Sequence, residues 1–193
     1  LVNRILAPYL AEAMALAREG HALAQIDQAA VDFGMPMGPI ELADSVGLDI
    51  ALSVARTLAP ILGREVDPQL EQKVQAGQLG VKTGQGFYQY RERRPVKPPG
   101  RGMISGEIEE RLVLALLNEA AHCLAEGIVD DADLVDAGVI FGTGFAPFRG
   151  GPLHYASARG IDEIVVRLGE LSSRLGPRFS PSPGWQKLKS ATG

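Results

Sequence analysis

The chain has 193 residues, of which 46% are hydrophobic and 22% charged, and its formal net charge at pH 7 is −4. This composition is ordinary for a folded globular protein, and the acidic balance argues against a general nucleic-acid binder, which is normally basic. Charged residues interrupt every apolar run, so we expect no segment of about twenty residues that spans a bilayer. The single cysteine, Cys123, excludes an internal disulfide and fits a reducing cytoplasm, where we expect the protein to be located.

In the first half, apolar residues recur with helical spacing, and glycine or proline separates one periodic run from the next. Gly20 is a favourable end for the first helix, and Pro8 should either bend that helix or delay its regular start. Asp67 followed by Pro68 is typical of an N-cap and first helical residue. We predict helices at about 2–19, 24–33, 39–47, 48–62 and 68–77.

A glycine-rich loop at 80–86 then leads into a short extended piece that ends at Tyr90. Lys82 in this loop either meets a phosphate or belongs to a structural turn, and composition favours the turn. Residues 91–103 are rich in proline and in basic residues, which predicts a linker. A solvated connector is the favoured interpretation of this linker, and an anion-binding patch is the alternative.

The second half begins with Ser105 as an expected N-cap. A long helix is expected at 106–126, and further helices start near Asp133, at Pro152 and at Ile161. No run alternates with a period of two, so we predict an all-α architecture. Because both long helices carry an apolar stripe, we expect them to pack against each other.

The two halves resemble each other in sequence. Residues 38–49 return as 151–162, with Gly, Pro, Ala, Gly and Asp at matching places, and residues 12–20 return as 119–127. A repeat of this kind indicates tandem copies of one helical module. We therefore divide the chain into a first domain at 1–90, a linker at 91–103 and a second, degenerate copy at 104–193.

The chain contains no complete set of catalytic residues. His21, His122 and His154 lack partners at metal-ligand or triad spacing, so we predict no metal site. The glycines of 80–86 lack the spacing and the βαβ context of a dinucleotide fingerprint, so we assign no cofactor-binding residue. Cys123 lies on an apolar helix and is most simply a small buried side chain.

Comparison of the halves directs attention to Asn3. In the aligned long helices Arg4 corresponds to Arg111, which suggests a scaffold residue, whereas Asn3 corresponds to Glu110. An amide at the start of a helix can cap it, or it can hydrogen-bond a ligand oxygen in a neighbouring cleft. Composition alone favours the cap.

Three ordered motifs resemble a known family. They are residues 1–9 (LVNRILAPY), residues 34–39 (GMPMGP) with the nearby Leu42, Asp44 and 47–49, and residues 82–88 (KTGQGFY). They are similar to the C-terminal domain of 3-hydroxyacyl-CoA dehydrogenases, which has the 6-phosphogluconate dehydrogenase C-terminal-like helical fold. A second copy with residues 142–152 (GTGFAPFRGGP) resembles the tandem arrangement in the multifunctional α-subunit of the fatty acid β-oxidation complex, which joins an enoyl-CoA hydratase to the dehydrogenase.

The resemblance implies oxidation of L-3-hydroxyacyl-CoA to 3-ketoacyl-CoA with NAD. In that family a Rossmann domain, which precedes the part present here, binds NAD and carries the catalytic His–Glu pair. The chain starts inside a helical pattern without an initiator Met, so we expect it to be a fragment that is inactive alone. The implied partners are upstream Rossmann and hydratase domains, an acyl-CoA substrate and a candidate thiolase subunit.

By the same resemblance, Asn3 matches the asparagine that reaches the substrate, which favours function over the cap. Met35, Pro36 and Met37 are expected near the acyl pocket, where flexible thioethers suit variable chains. The second copy lacks the asparagine and is expected to be structural, imitating within one chain the dimer partner of single-copy relatives. The alternatives are a purely structural or dimerisation module, or the helical half of a related NAD-dependent dehydrogenase acting on a non-CoA hydroxy acid.

Overall fold

The computed structural model describes residues 1–98 and 106–192, so the predicted N-cap Ser105 and linker residues 99–103 lie outside the described residues. The described part of the chain is predominantly helical, which confirms the all-α prediction. Short 3-10 turns connect some of the helices, at Val81–Thr83, Pro147–Arg149 and Pro177–Phe179. In chain order the helices are α1 (Val2–Arg18), α2 (Leu23–Phe33), α3 (Pro39–Val46), α4 (Leu48–Leu62), α5 (Pro68–Gln75), α6 (Gly106–Ala125), α7 (Ala132–Thr143), α8 (Pro152–Arg159), α9 (Ile161–Leu175) and α10 (Gly184–Thr192).

Helix α1 begins at Val2 and continues through Pro8, so the later start that the proline allowed is not observed. Proline removes one backbone hydrogen bond from the helix interior. Ile5, three residues before the proline, and Tyr9, directly after it, are buried, at 0% and 2% exposure. Their burial offsets the lost bond, because each large apolar side chain stabilises the fold by roughly 1.5–3 kcal/mol when it is removed from water.

Helices α3 and α4 meet at Gly47, which ends one helix and precedes the other. Its φ of +106° lies in the region that favours glycine, and the helix axes bend by 104° at this break. No single helix among the described residues is long and apolar enough to cross a membrane. Taken together, the bent pair α3 and α4 has the length and apolar composition of a candidate membrane span.

The described residues form two compact units, each assembled from separate parts of the chain. The N-terminal unit comprises Leu10–Phe33 and the described residues of Met37–Glu109. The C-terminal unit comprises Leu1–Tyr9, Gly34–Pro36 and the described residues from Glu110 onward. The division into domains at 1–90 and 104–193 stays a prediction.

Each unit has its own apolar core. The largest buried side chains of the N-terminal unit come from α1, α2, α3, α4 and the start of α6 and are Leu16, Ile26, Phe33, Ile40, Leu48 and Ile108. Those of the C-terminal unit come from α1, α6 and the later elements and are Ile5, Tyr9, Leu112, Phe145, Phe179 and Trp185. Trp185 also donates a hydrogen bond of 2.9 Å from its ring nitrogen to Asn118 Oδ1, which fixes the start of α10 on α6.

A two-stranded antiparallel hairpin follows the glycine-rich loop. Strand β1 (Gln89–Arg91) pairs with β2 (Arg94–Val96), with Tyr90 opposite Pro95. The extended piece predicted before Tyr90 is present, but the first residues of the predicted linker are paired strand rather than free connector. Lys97, just beyond β2, pairs with Asp27 at 3.3 Å and with Glu41 at 2.6 Å.

Candidate functional site

The first turn of α1 lies against glycines of α7 within the C-terminal unit. A Cβ on Gly138 would come 2.7 Å from Leu1 Cδ2, and a Cβ on Gly142 would overlap the side chain of Val2. These two glycines are four residues apart and therefore share one face of α7. Their missing side chains allow the start of α1 to approach the α7 backbone closely.

Arg4 fixes the same turn of α1 to α6. Its Nε donates to Glu119 Oε1 at 2.7 Å, and its two terminal nitrogens donate to Glu126 at 2.6 and 2.7 Å. The hydrogen bonds to Glu126 and Glu119 raise the pKa of Arg4 further above its usual range, and those from Arg4 lower the pKa of Glu126. The predicted contact between the two long helices is thus present for the first turns of α1. Superposition of the two copies stays a prediction.

Asn3 is located between these anchored residues and is itself exposed. It is the second residue of α1, so it is not at the N-cap position, which belongs to Leu1. Among the described residues, no side chain or backbone group hydrogen-bonds the Asn3 amide. A turn held by its neighbours Val2 and Arg4 therefore presents an exposed amide that no other described residue bonds.

The predicted acyl-pocket residues occupy the loop between α2 and α3. Met35 is 5% exposed, Pro36 is exposed and Met37 is half-buried. Pro36 lies against Gly144, where a Cβ would come 2.8 Å from its Cγ, and Gly34 lies against Ala146 and Phe148. The beginning of this loop therefore contacts the segment that directly follows α7, within the C-terminal unit.

The structure brings two of the sequence-predicted segments to the same stretch of chain. Val2, next to Asn3, contacts Gly142, and Pro36 contacts Gly144. Two large apolar side chains of this stretch face solvent, with Phe141 at 89% and Phe148 at 76% exposure. Met37 belongs to the N-terminal unit, and its place in the candidate site stays a prediction.

Asp27 holds the end of the same loop inside the N-terminal unit. Its side chain is 1% exposed and accepts hydrogen bonds from the Ile40 backbone N–H at 2.8 Å and from the Tyr88 hydroxyl at 2.9 Å. A Cβ on Gly38 would overlap Asp27, so the loop passes directly over this residue. Burial raises the pKa of Asp27, although Lys97 and these donors oppose the shift.

The C-terminal unit contains the same arrangement. Asp136 accepts from the backbone N–H groups of Leu153 at 2.7 Å and His154 at 2.8 Å, and a Cβ on Gly151 would overlap it. Burial raises the pKa of Asp136 to about 6. In each unit a buried aspartate thus caps a helix that starts with Gly-Pro.

The glycine-rich loop wraps around a second buried aspartate, Asp44. The backbone N–H groups of Phe87 and Tyr88 donate to its carboxylate at 2.8 and 2.9 Å, and the Tyr90 hydroxyl donates at 3.0 Å. The Cβ positions of the loop glycines at 80 and 86 would overlap Asp44. These glycines are therefore needed for close packing around a carboxylate.

Glu110, which corresponds to Asn3 in the aligned halves, has a different environment. Its carboxylate accepts from Arg159 at 3.0 Å and from Arg167 at 3.1 Å, with a further short contact to Arg167. The hydrogen bonds from Arg167 and Arg159 lower the pKa of Glu110. The second half thus uses this position for internal ion pairs.

The remaining candidates have structural roles. Lys82 lies in a 3-10 turn and pairs with Asp49 at 2.5 Å, which supports the turn interpretation. Cys123 is fully buried, as expected, and burial raises its thiol pKa to about 11. Within residues 1–98 and 106–192, no three His, Cys, Asp or Glu side chains are grouped so that they could hold a metal ion.

The described residues do not fit a dinucleotide. A Rossmann site needs a βαβ unit whose glycine loop opens a helix. In the part of the chain that the structure describes, the strands form a single antiparallel hairpin, and the glycine-rich loop ends in that hairpin.

The sequence pointed to Asn3 and Arg4 but not to the residues of the second half that hold the start of α1 in place. Glu119 and Glu126 are separated from Arg4 by more than a hundred residues, and periodicity does not pair residues at that distance. The glycines of α7 left a clear signal, since two glycines four apart inside a helix indicate close approach of another element. The sequence signal for Asp27 and Asp136 was weaker, because it consists only of an acidic residue on a largely apolar helix face.

Residues 1–90 match the family described as 3-hydroxyacyl-CoA dehydrogenase, C-terminal domain. Over 94% of the chain, 40% of the residues are identical to the fatty acid oxidation complex subunit alpha of Idiomarina loihiensis. The protein of the same description from Vibrio campbellii is 38% identical over 95% of the chain. The chain spans 28% of the length of each of these relatives.

Two solved structures share the fold. The 3-hydroxybutyryl-CoA dehydrogenase of Escherichia coli K12 superposes with a TM-score of 0.81 at 21% identity, covering the whole chain and 60% of that protein. The dehydrogenase part of multifunctional enzyme 1 from C. elegans gives 0.69 at 24% identity, covering 96% of the chain and 46% of that protein. The chain therefore shares its helical fold with these two dehydrogenases, and its first half matches a dehydrogenase domain in sequence. The chain is similar to the 3-hydroxyacyl-CoA dehydrogenase family, and residues 1–90 match the C-terminal domain of that family.

Proposed function

We propose that the chain is the substrate-side part of an enzyme of fatty acid β-oxidation that oxidises L-3-hydroxyacyl-CoA to 3-ketoacyl-CoA. The observation that carries this proposal is the contrast between Asn3 and Glu110. Asn3 is exposed on an anchored turn, where no other described residue hydrogen-bonds its amide, whereas Glu110 is held by two arginines. A side chain needed only for the scaffold would be expected to have similar surroundings in both halves.

Asn3 would bind the oxygen at C3 of the substrate. An amide N–H can donate to this oxygen while it is a hydroxyl and after it becomes a carbonyl. A donor placed where negative charge develops lowers the barrier without reorganisation during the reaction. Met35, Pro36 and Met37 would line the path of the acyl chain, with the exposed Pro36 and the half-buried Met37 the more accessible of the three.

Other domains of the same polypeptide would supply the rest of the chemistry. NAD and the general base would come from an upstream Rossmann domain, because the described residues form no dinucleotide site. The curated relatives named fatty acid oxidation complex subunit alpha are more than three times as long as this chain, which supports further upstream domains. We propose that a hydratase is one of them. We place the enzyme in the cytoplasm, with a thiolase subunit as a candidate partner and the second half as a substitute for a dimer partner.

The test compares the full-length polypeptide with the chain 1–193. The full-length protein should reduce NAD when it is given L-3-hydroxyacyl-CoA, and the chain alone should not, since general acid–base catalysis needs a base beside the acceptor. Turnover by the purified chain would contradict the proposal, as would a full-length protein without this activity.

Within the full-length enzyme, Asn3→Ala should lower kcat/KM by roughly 5- to 150-fold, the equivalent of about 1–3 kcal/mol for one lost ligand hydrogen bond. The melting temperature should change little, because the amide bonds no other described group. Glu110→Ala is the matched control. It removes two ion pairs and should lower stability while leaving kcat/KM within about twofold. Equal kinetic effects of the two substitutions would show that Asn3 has no special role.

A further inference from the structure

We propose that Glu119 and Gly142, both in the second half of the chain, are positioning residues for Asn3. This inference rests on the proposed role of Asn3 in binding substrate. The second half would then contribute to catalysis by positioning Asn3, in addition to stabilising the fold. Neither Glu119 nor Gly142 would itself touch the substrate.

The first step of the argument is the geometry of the turn. Successive residues of an α-helix point about 100° apart around its axis. Val2 and Arg4 therefore point to either side of Asn3. Val2 is seated on Gly142, and Arg4 is bonded to Glu119 at 2.7 Å. Contacts on both sides prevent the turn from rotating or sliding, which leaves the exposed Asn3 in one fixed direction.

The second step is that this turn needs external support. The first turn of a helix lacks intrahelical partners for its N–H groups and frays easily. The ion pair is well shielded, with the Arg4 and Glu119 side chains 13% and 9% exposed, so water weakens it less than a surface pair. The bidentate contact of Arg4 with Glu126 adds directional restraint.

The third step is the precision that catalysis requires. A catalytic group has to be held within about 0.5 Å of its productive position, and a misplacement of about 1 Å can lower a rate about 100-fold. A methyl group on Gly142 would overlap Val2 and would force the turn away from α7. Such a shift moves Asn3 without changing its chemistry.

The experiment uses the full-length enzyme and a matched pair of glycine substitutions. Gly142→Ala and Gly169→Ala both replace a helical glycine by a better helix former. The Cβ at Gly169 in α9 would meet no atom within 4 Å. We expect Gly142→Ala to lower kcat about tenfold or more with KM changed less than threefold, and Gly169→Ala to leave both unchanged.

Glu119 is tested in the same way with a conservative rescue. Glu119→Ala removes the acceptor of Arg4 Nε and should lower kcat about tenfold. Glu119→Gln keeps an acceptor oxygen at the same place and should restore kcat to within about threefold. If Glu119→Ala does not fold, Gly142→Ala still tests the proposal, because alanine is favourable inside a helix.

The decisive measurement repeats both substitutions in the Asn3→Ala background. If the residues act through Asn3, each should change kcat less than twofold there, while its effect on the melting temperature persists. An equal loss of kcat in both backgrounds, or no loss in either, overturns the positioning role and leaves the proposed function intact. If Asn3→Ala alone has the kinetics of the unmodified enzyme, the role of Asn3 fails and the positioning proposal fails with it.

Discussion

Substitution of Tyr88 by Phe tests whether the hairpin is held to the helices through Asp27. The Tyr88 side chain is 4% exposed and its hydroxyl donates a hydrogen bond of 2.9 Å to Asp27 Oδ2. Tyr88→Phe removes this bond but almost no apolar area. A hydrogen bond to a charged group contributes about 1.5–3 kcal/mol to stability. Asp27 keeps the Ile40 N–H and Lys97 as partners, so we expect a loss of about 1.5–2 kcal/mol, at the lower end of that range.

Tyr90→Phe is the matched control on the same strand. Its hydroxyl donates at 3.0 Å to Asp44, which still accepts from two backbone N–H groups, and Tyr90 is only half-buried. Water can replace a partner that is lost there, so we expect a decrease of only about 0.5–1 kcal/mol. The assay is the free energy of unfolding of the chain in urea. If Tyr90→Phe lowers this free energy as much as Tyr88→Phe does, burial of the bond to Asp27 does not set its strength.

Two further predictions concern buried titratable groups. The pKa of Asp136 is raised to about 6, so between about pH 4 and 6 the folded chain keeps a proton that the unfolded chain has released. Its contribution to stability is therefore lost as the pH rises through this window, by about 1–2 kcal/mol after screening by solvent, and Asp136→Asn should remove that part of the pH dependence of urea unfolding. A pH dependence identical in both proteins would contradict the assignment. The Cys123 thiol, with its pKa raised to about 11, should react with a thiol reagent at pH 8 only after unfolding, and rapid labelling of the folded chain would show that α6 opens readily.

The helices could be predicted closely because glycine and proline mark their ends. Helix α4 has the predicted bounds, and α2 and α6 differ from prediction by one residue at one end. The hairpin could not be predicted from the residues, because its turn consists of Glu92 and Arg93. Both have positive φ values, of 50° and 64°, which asparagine and glycine usually adopt in such turns. Without that signal, proline and basic residues favoured a linker.

The candidate site was only partly predictable. Asn3 emerged because the halves differ there, and the resemblance gave it a role. Its surroundings depend on contacts between residues far apart in sequence, such as Val2 with Gly142 and Arg4 with Glu119. Such contacts follow from how helices pack, and the apolar pattern of one helix does not specify which residue of another helix it meets.

The difference between the halves also explains why the second could not carry out the proposed step. The proposed role of Asn3 requires a donor to the C3 oxygen of the substrate. Glu110 is kept ionised, since the hydrogen bonds from Arg167 and Arg159 lower its pKa, and an ionised carboxylate only accepts hydrogen bonds. Even if its arginines moved away, Glu110 would present negative charge to an oxygen on which negative charge develops. A carboxylate at this position therefore opposes the proposed reaction, whereas the neutral amide of Asn3 assists it.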